Sequence, residues 1–177
     1  MLKPPPEGLP HFRGVDTFSD HLGRFKFRVP FGWQREELDD ERDGMMFLRD
    51  PDDPDTHISC WITKLEHAVK AEDLDLLRNG VEEGLGQLPG CTVESRSDDS
   101  YGNLIKFERV FTYGEEGPRK RKAWYLYAEV WMIVLAWQGA TPDWYEYGLP
   151  MGNYAFATMD VPDWLWLATD RDLGFRP

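Results

Sequence analysis

Apolar and basic residues alternate along Phe25-Lys26-Phe27-Arg28-Val29, and a period of two marks a half-buried strand. Phe25, Phe27 and Val29 would share its buried face. Pro30, Phe31 and Gly32 end the strand, and Trp33 follows. Gly44-Met45-Met46-Phe47-Leu48 reads as a second short strand after an acidic loop over residues 36–43. His57 to Leu65 reads as a third. Its Ile58, Cys60 and Ile62 point one way, and its His57, Ser59, Trp61 and Thr63 the other. Asp50-Pro51-Asp52-Asp53-Pro54-Asp55 lies between the second and third. Proline fixes φ there and Asp side chains accept from nearby amides, so the two runs form a hairpin.

The period then changes. Leu74, Leu77, Val81, Leu85 and Leu88 are spaced 3, 4, 4 and 3, which places them in one stripe of a helix. Glu72, Asp73 and Asp75 suit the positive end of its dipole. Gly80, Gly84 and Gly86 each weaken the helix by up to about 1 kcal/mol, and small residues at these positions would let it lie close to a sheet. Pro89-Gly90 stops it. A weak strand over Cys91 to Arg96 precedes a better one over Leu104 to Tyr113, where Ile105, Phe107 and Phe111 alternate. After a turn at Gly114 to Pro118, Arg119 to Tyr127 and Trp131 to Gln138 read as two more strands. No Gly, Pro or Asn marks the turn between them. Thr141 then caps a helix that starts at Pro142-Asp143. Trp144, Tyr147, Met151, Ala155 and Met159 fit one face of it, and Pro150 with Gly152 would kink or split it.

Strands come in runs rather than alternating with helices. That order predicts an α+β fold: a single domain over residues 21–177 with a largely antiparallel sheet of about six to seven strands and two main helices packed on it. Residues 1–20 read as an extended arm. Pro4, Pro5, Pro6 and Pro10 favour polyproline conformation, and Phe12, Val15 and Phe18 are placed to tack the arm to the domain.

Composition narrows the function classes. With 177 residues, 41% of them hydrophobic and 14% aromatic, the chain has material for one well-packed core. A net charge of −12 opposes nucleic-acid phosphates and anionic membrane surfaces. The first ten residues lack the apolar run of a signal peptide, and the apolar stretch Ala123 to Trp137 is short for a span and contains Glu129. A cytoplasmic protein is therefore expected. Cys60 and Cys91 make no disulfide framework.

Most chemical signals are weak. The cluster Asp50, Asp52, Asp53, Asp55 fails the calcium-loop pattern, with Asp55 where glycine is needed and Trp61 where glutamate is needed. His57 and Cys60 lie three positions apart on a strand, so they face opposite ways and would not share a zinc ion. Cys60 shares a face with Ile58 and Ile62 and reads as inert core rather than nucleophile. Gly84-Leu85-Gly86 lies inside the helix, outside the context of a phosphate loop. No cofactor is implied. Arg119 to Lys122 is a basic run at the start of a strand, where a solvated hairpin end is the plain reading and an acidic partner the sharper one. Trp144, Tyr145, Tyr147, Trp164 and Trp166 crowd the C-terminal region. Trp and Tyr are enriched at binding hot spots, so Trp144, Tyr147, Trp164 and Trp166 are the candidate binding residues.

Several landmarks together resemble the PsbP-like group, which includes the photosystem extrinsic subunit, a Ran-binding nuclear transport factor and bacterial DcrB-type proteins. They are Phe27-Arg28-Val29-Pro30 with Gly32-Trp33, Phe47 before the acidic turn, and the strand Ile58 to Thr63. The helix carrying Leu74, Leu77 and Val81, and the late hairpin into Trp131 to Gln138 before a last helix, complete the set. The resemblance implies an α/β/α sandwich and a role as adaptor or assembly factor, with no catalytic motif to carry over. Three functions stay open: a non-catalytic module that binds a partner protein or a second copy, a small-ligand binder, and a hydrolase using a carboxylate pair.

Overall fold

The computed structural model describes residues 3–38, 42–101, 104–115, 117–162 and 165. In chain order it contains β1 (Val15–Ser19), β2 (Lys26–Pro30), β3 (Gln34–Glu37), β4 (Asp43–Leu48), β5 (His57–Lys64), α1 (Leu74–Gly86), β6 (Thr92–Tyr101), β7 (Leu104–Tyr113), β8 (Arg119–Ala128), β9 (Trp131–Gly139) and α2 (Pro142–Ala157). β1 and β2 form a two-stranded ribbon. The other seven make one sheet in the order β3-β4-β5-β9-β8-β7-β6, with every neighbouring pair antiparallel. The fold is α+β.

The two halves of the sheet meet along β5 and β9, where His57 lies opposite Gln138 and Lys64 opposite Trp131. One face carries Phe47, Ile58, Cys60, Ile62, Trp124, Ile133, Leu135 and Trp137. It is covered by α2, by Phe27 and Val29 of the ribbon, and by Phe25 just before β2. On the other face Val81 and Leu85 of α1 pack on Ile105, Phe107, Phe111, Ala123, Tyr127 and Ala136. That second layer includes nothing from β3, β4 or β5, so a helix covers only the β7–β8 side of this face.

The structure corrects four local expectations. The end of the expected arm, Val15–Ser19, is a strand. Its Phe18 ring reaches Phe27 and Phe47 at 5.4 and 5.2 Å. β3 occupies the start of what reads as an acidic loop. It is an edge strand exposed along most of its length, so it needs no apolar alternation and charge protects it from further pairing. α2 is not split at Pro150. Glu146, whose carbonyl the proline leaves without a helical donor, is exposed like the proline itself, so water can serve that carbonyl. Gly80, Gly84 and Gly86 do not bring α1 close to the sheet, for no atom lies within 4 Å of where their side chains would be. The close approach is in α2, where a Cβ on Gly148 or Gly152 would overlap the Trp137 side chain.

Candidate functional site

Thr141 caps α2, accepting the Trp144 amide at 3.3 Å, and this sets Trp144 on the first turn with Tyr147 one turn on. The two rings meet edge to face at 5.6 Å. Arg49, just after β4, lays its guanidinium 4.4 Å from the Trp144 ring centre and 5.6 Å from that of Tyr147. The Trp144 indole N–H donates to the Lys3 carbonyl at 2.9 Å. Further along the arm, Phe12 reaches Tyr154 of α2 at 5.9 Å. The outer surface of α2 thus holds an extended, proline-containing stretch of its own chain. Trp144 is buried beneath this cover and Tyr147 is half-buried. Trp164 and Trp166 lie outside the described residues.

Between Trp144 and the arm lies a cavity of about 250 Å³, bordered by Lys3, Arg49, Asp50, Asp52, Asp53 and Thr56. The Asp50 carboxylate accepts the Asp52 amide at 3.0 Å, so it holds the turn between β4 and β5.

A second polar cluster lies where the ribbon meets β4. Asp20, His21 and Asp43 could each direct one ligand atom to a common point. Arg24 already lies between the carboxylates. It donates to both Asp20 oxygens and to Asp43, each at 2.7 Å, and its guanidinium is 4.9 Å from the Trp131 ring centre. Burial pushes the Asp20 pKa up, but the hydrogen bonds from Arg24 outweigh it and hold the carboxyl below its ordinary range. Glu82 and Asp98 behave alike. Burial raises them, and Arg96 with Arg109, or Arg78 with Arg109, bring them below the ordinary range. None of these three carboxylates is a proton donor near neutral pH, so none suits the acid role in a carboxylate hydrolase.

Cys60 is buried beneath α2 and the ribbon, and burial pushes its thiol up to about 12, away from thiolate chemistry. His57 projects from the opposite face of β5. Its Nδ1–H donates to the Pro54 carbonyl at 2.7 Å. Burial, with Arg121 as the next cause, pulls its pKa down to about 4. The imidazole is therefore neutral at pH 7.

The basic run divides between the two faces of β8. Lys120 pairs with Glu94 and Glu146 at 2.9 and 3.0 Å, and Lys122 with Glu108 at 2.9 Å. On the other face Arg119 pairs with Asp55, its Nε 2.8 Å from one carboxylate oxygen and its Nη2 donating to the other at 3.0 Å. Arg121 differs from all three. Its partners are neutral: Nε donates to Gln138 Oε1 and Nη2 to the Tyr113 hydroxyl, each at 2.9 Å. Arg121 also borders a hollow with Glu36, Met46, His57, Ser59 and Trp61, which no sequence pattern marked because its members come from β3, β4, β5 and β8.

No protein-family model matches the chain, and no curated protein matches it in sequence. Solved structures do. CyanoP, the cyanobacterial PsbP of Synechocystis sp. PCC 6803, superposes with a TM-score of 0.60 at 13% identity, covering 89% of this chain and 100% of that one. LpqN, a protein involved in cell envelope biogenesis of Mycobacterium tuberculosis, gives 0.58 at 15% identity over 85% and 93%. The Ran-binding protein Mog1p of Saccharomyces cerevisiae gives 0.51 at 9% identity over 86% and 98%. What the chain shares with them is a PsbP-like fold. No helix among the described residues is long and apolar enough to cross a membrane.

Proposed function

We propose that this protein is a non-catalytic interaction module, and that its contact surface is the aromatic outer face of α2 around Trp144 and Tyr147. One observation carries the reading: that surface already holds an extended proline-rich segment, with an indole N–H on a main-chain carbonyl and an arginine stacked on the rings. Polyproline segments expose unpaired carbonyls and lose little entropy on docking, so aromatic grooves with a single donor recognise them well. The occupant we assign is an extended proline-containing segment of a partner protein, which takes the place of the arm. That Mog1p, a protein of similar fold, is Ran-binding is compatible with this reading.

Affinity capture from the source organism tests it, with the full chain as bait beside Arg49→Ala, Tyr147→Ala and Trp144→Ala. Alanine at a hot spot costs at least about 2 kcal/mol, so capture should fall roughly thirtyfold while the melting curves of the Arg49 and Tyr147 variants stay near wild type. A partner retained equally by all three variants removes this surface from the proposal. The double variant Trp164→Ala/Trp166→Ala asks the same of the remaining two candidates. An earlier elution volume that the Trp144 variant abolishes would instead mean arm exchange between two copies.

A further inference from the structure

Among the described residues Arg121 is a cation with no carboxylate partner, and it faces a cavity. On the face of the sheet opposite α2, beyond the edge of the α1 layer, lies a hollow of about 300 Å³. Register explains its position. Met46, Ser59 and Ala136 lie in one cross-strand row, and His57, Gln138 and Arg121 in the next. The small Ser59 leaves the depth. Met46 and Trp61 give apolar walls, and Arg42 stacks on Trp61 with 4.6 Å from guanidinium to ring centre.

Three polar atoms around this hollow have no hydrogen-bond partner among the described residues: Arg121 Nη1, Ser59 Oγ and His57 Nε2. None is sealed in. Among the described side chains, the only polar atom both buried and unbonded is Arg109 Nη2. The three therefore touch open space.

The charge balance is unusual. Buried cations are nearly always paired with carboxylates, since an unpaired one loses hydration without compensation. Arg109, on the same sheet face, follows that rule, with Glu82 at 2.7 Å and Asp98 at 2.6 Å. Asp55, whose main-chain carbonyl accepts from Gln138 of the Arg121 row, has its carboxylate taken by Arg119. Burial pulls the Arg121 guanidinium below the ordinary arginine range, as expected of a charge that lacks its counter-ion.

We infer that this cavity binds a small monocarboxylate with an apolar body, the carboxylate on Arg121 Nη1 and Ser59 Oγ and the body between Trp61 and Met46. Glu36 and Glu37 line the rim, and Glu36 is occupied by Gln34 at 2.7 Å. They select against a dianion such as phosphate, which meets their repulsion with twice the charge of a monocarboxylate. The site is on the opposite side of the sheet from Trp144 and stands whether or not that surface binds a partner.

Benzoate serves as the probe, benzamide as its neutral isostere and inorganic phosphate as the competing anion. Benzoate should raise the melting temperature of the full chain with a Kd on the order of 1 mM, as expected for so few atoms. It should also shift the NMR signals of the His57 ring and the Trp61 indole. Benzamide and phosphate should do neither. Arg121→Met should weaken the benzoate response at least tenfold and melt no lower than wild type, because it removes an uncompensated charge while Tyr113 still donates to Gln138. A scaffolding arginine would instead lower the melting temperature. Ser59→Val fills the floor and should abolish the response by itself, which decides the matter if the Met variant fails to fold. The proposal is overturned if benzamide matches benzoate, if phosphate acts more strongly through Arg121, if Ser59→Val keeps the response, or if benzoate shifts other residues and leaves His57 and Trp61 unmoved.

Discussion

Two arginines on one face of the sheet, Arg109 and Arg121, show how much a side chain's role depends on what faces it. Arg109 sits fully buried among two carboxylates and two main-chain carbonyls, and it ties α1 to β6 and β7. Among the described residues Arg121 finds only an amide and a phenol. In the sequence both are basic residues on strands. Even the run Arg119 to Lys122 reads only as a charged strand start, because the carboxylates that claim three of its members come from Asp55, Glu94, Glu108 and Glu146, far apart in the chain. His57 carries a pH dependence of the same origin. Its pKa falls from 6.5 to about 4 on folding, so the folded state favours the neutral ring. The resulting stability is fully present above pH 6.5, declines as pH drops through the window to about 4, and amounts to roughly 3 kcal/mol in total. Asp20, Glu82 and Asp98 are lowered in a way that favours their charged forms, so their contribution is lost only from the acid end of that window downward. Urea titrations at intervals from pH 7 to 4 should show the decline in wild type. His57→Asn, whose amide can still reach the Pro54 carbonyl, should flatten it. An equal slope in both proteins would assign the effect elsewhere.

At the scale of elements, periodicity was informative wherever an element is buried on one side and silent where it is not. The stripe from Leu74 to Leu88 is legible because Val81 and Leu85 are buried and Leu74, Leu77 and Leu88 partly so. β7, β8 and β9 are legible for the same reason. β3 is not, because an edge strand of Gln, Arg and Glu has no apolar face to reveal it. The β8–β9 turn escaped because Glu129, not glycine or asparagine, adopts the left-handed conformation there, at φ 53°. Glycine roles were reversed between the helices. A single substitution type exposes the difference. Gly84→Ala meets open space in α1 and should stabilise by about 0.5–1 kcal/mol through helix propensity. Gly148→Ala drives a methyl into the Trp137 ring and should destabilise by about 1–3 kcal/mol or more. Chemical denaturation of the two variants checks the signs, and a loss of stability at Gly84 would mean that α1 lies closer to its surroundings than the structure shows.

The whole molecule is two hydrophobic layers on one sheet, and the same strands serve both. β8 presents Trp124 and Leu126 to the α2 layer and Ala123 and Tyr127 to the α1 layer, while β9 does so with Leu135 and Ala136. The candidate sites divide along the same line. The aromatic surface belongs to α2, and the Arg121 cavity opens on the far face where α1 stops. Sequence pattern could reveal the layers, since each is a local alternation. It could not reveal the cavity, which depends on where a helix ends across a sheet joined through β5 and β9. Shared strands imply a shared fate. Leu85→Ala removes a buried side chain from the α1 layer alone and should cost about 2–4 kcal/mol. If the sheet couples its faces, tryptophan emission, whose buried reporters Trp124 and Trp137 lie in the α2 layer, will lose its urea midpoint in step with far-ultraviolet circular dichroism. A variant in which emission keeps the wild-type midpoint while ellipticity shifts would show that the faces melt separately. In that case the sheet joins two independently stable halves, and occupancy of the Arg121 cavity would leave the α2 surface untouched.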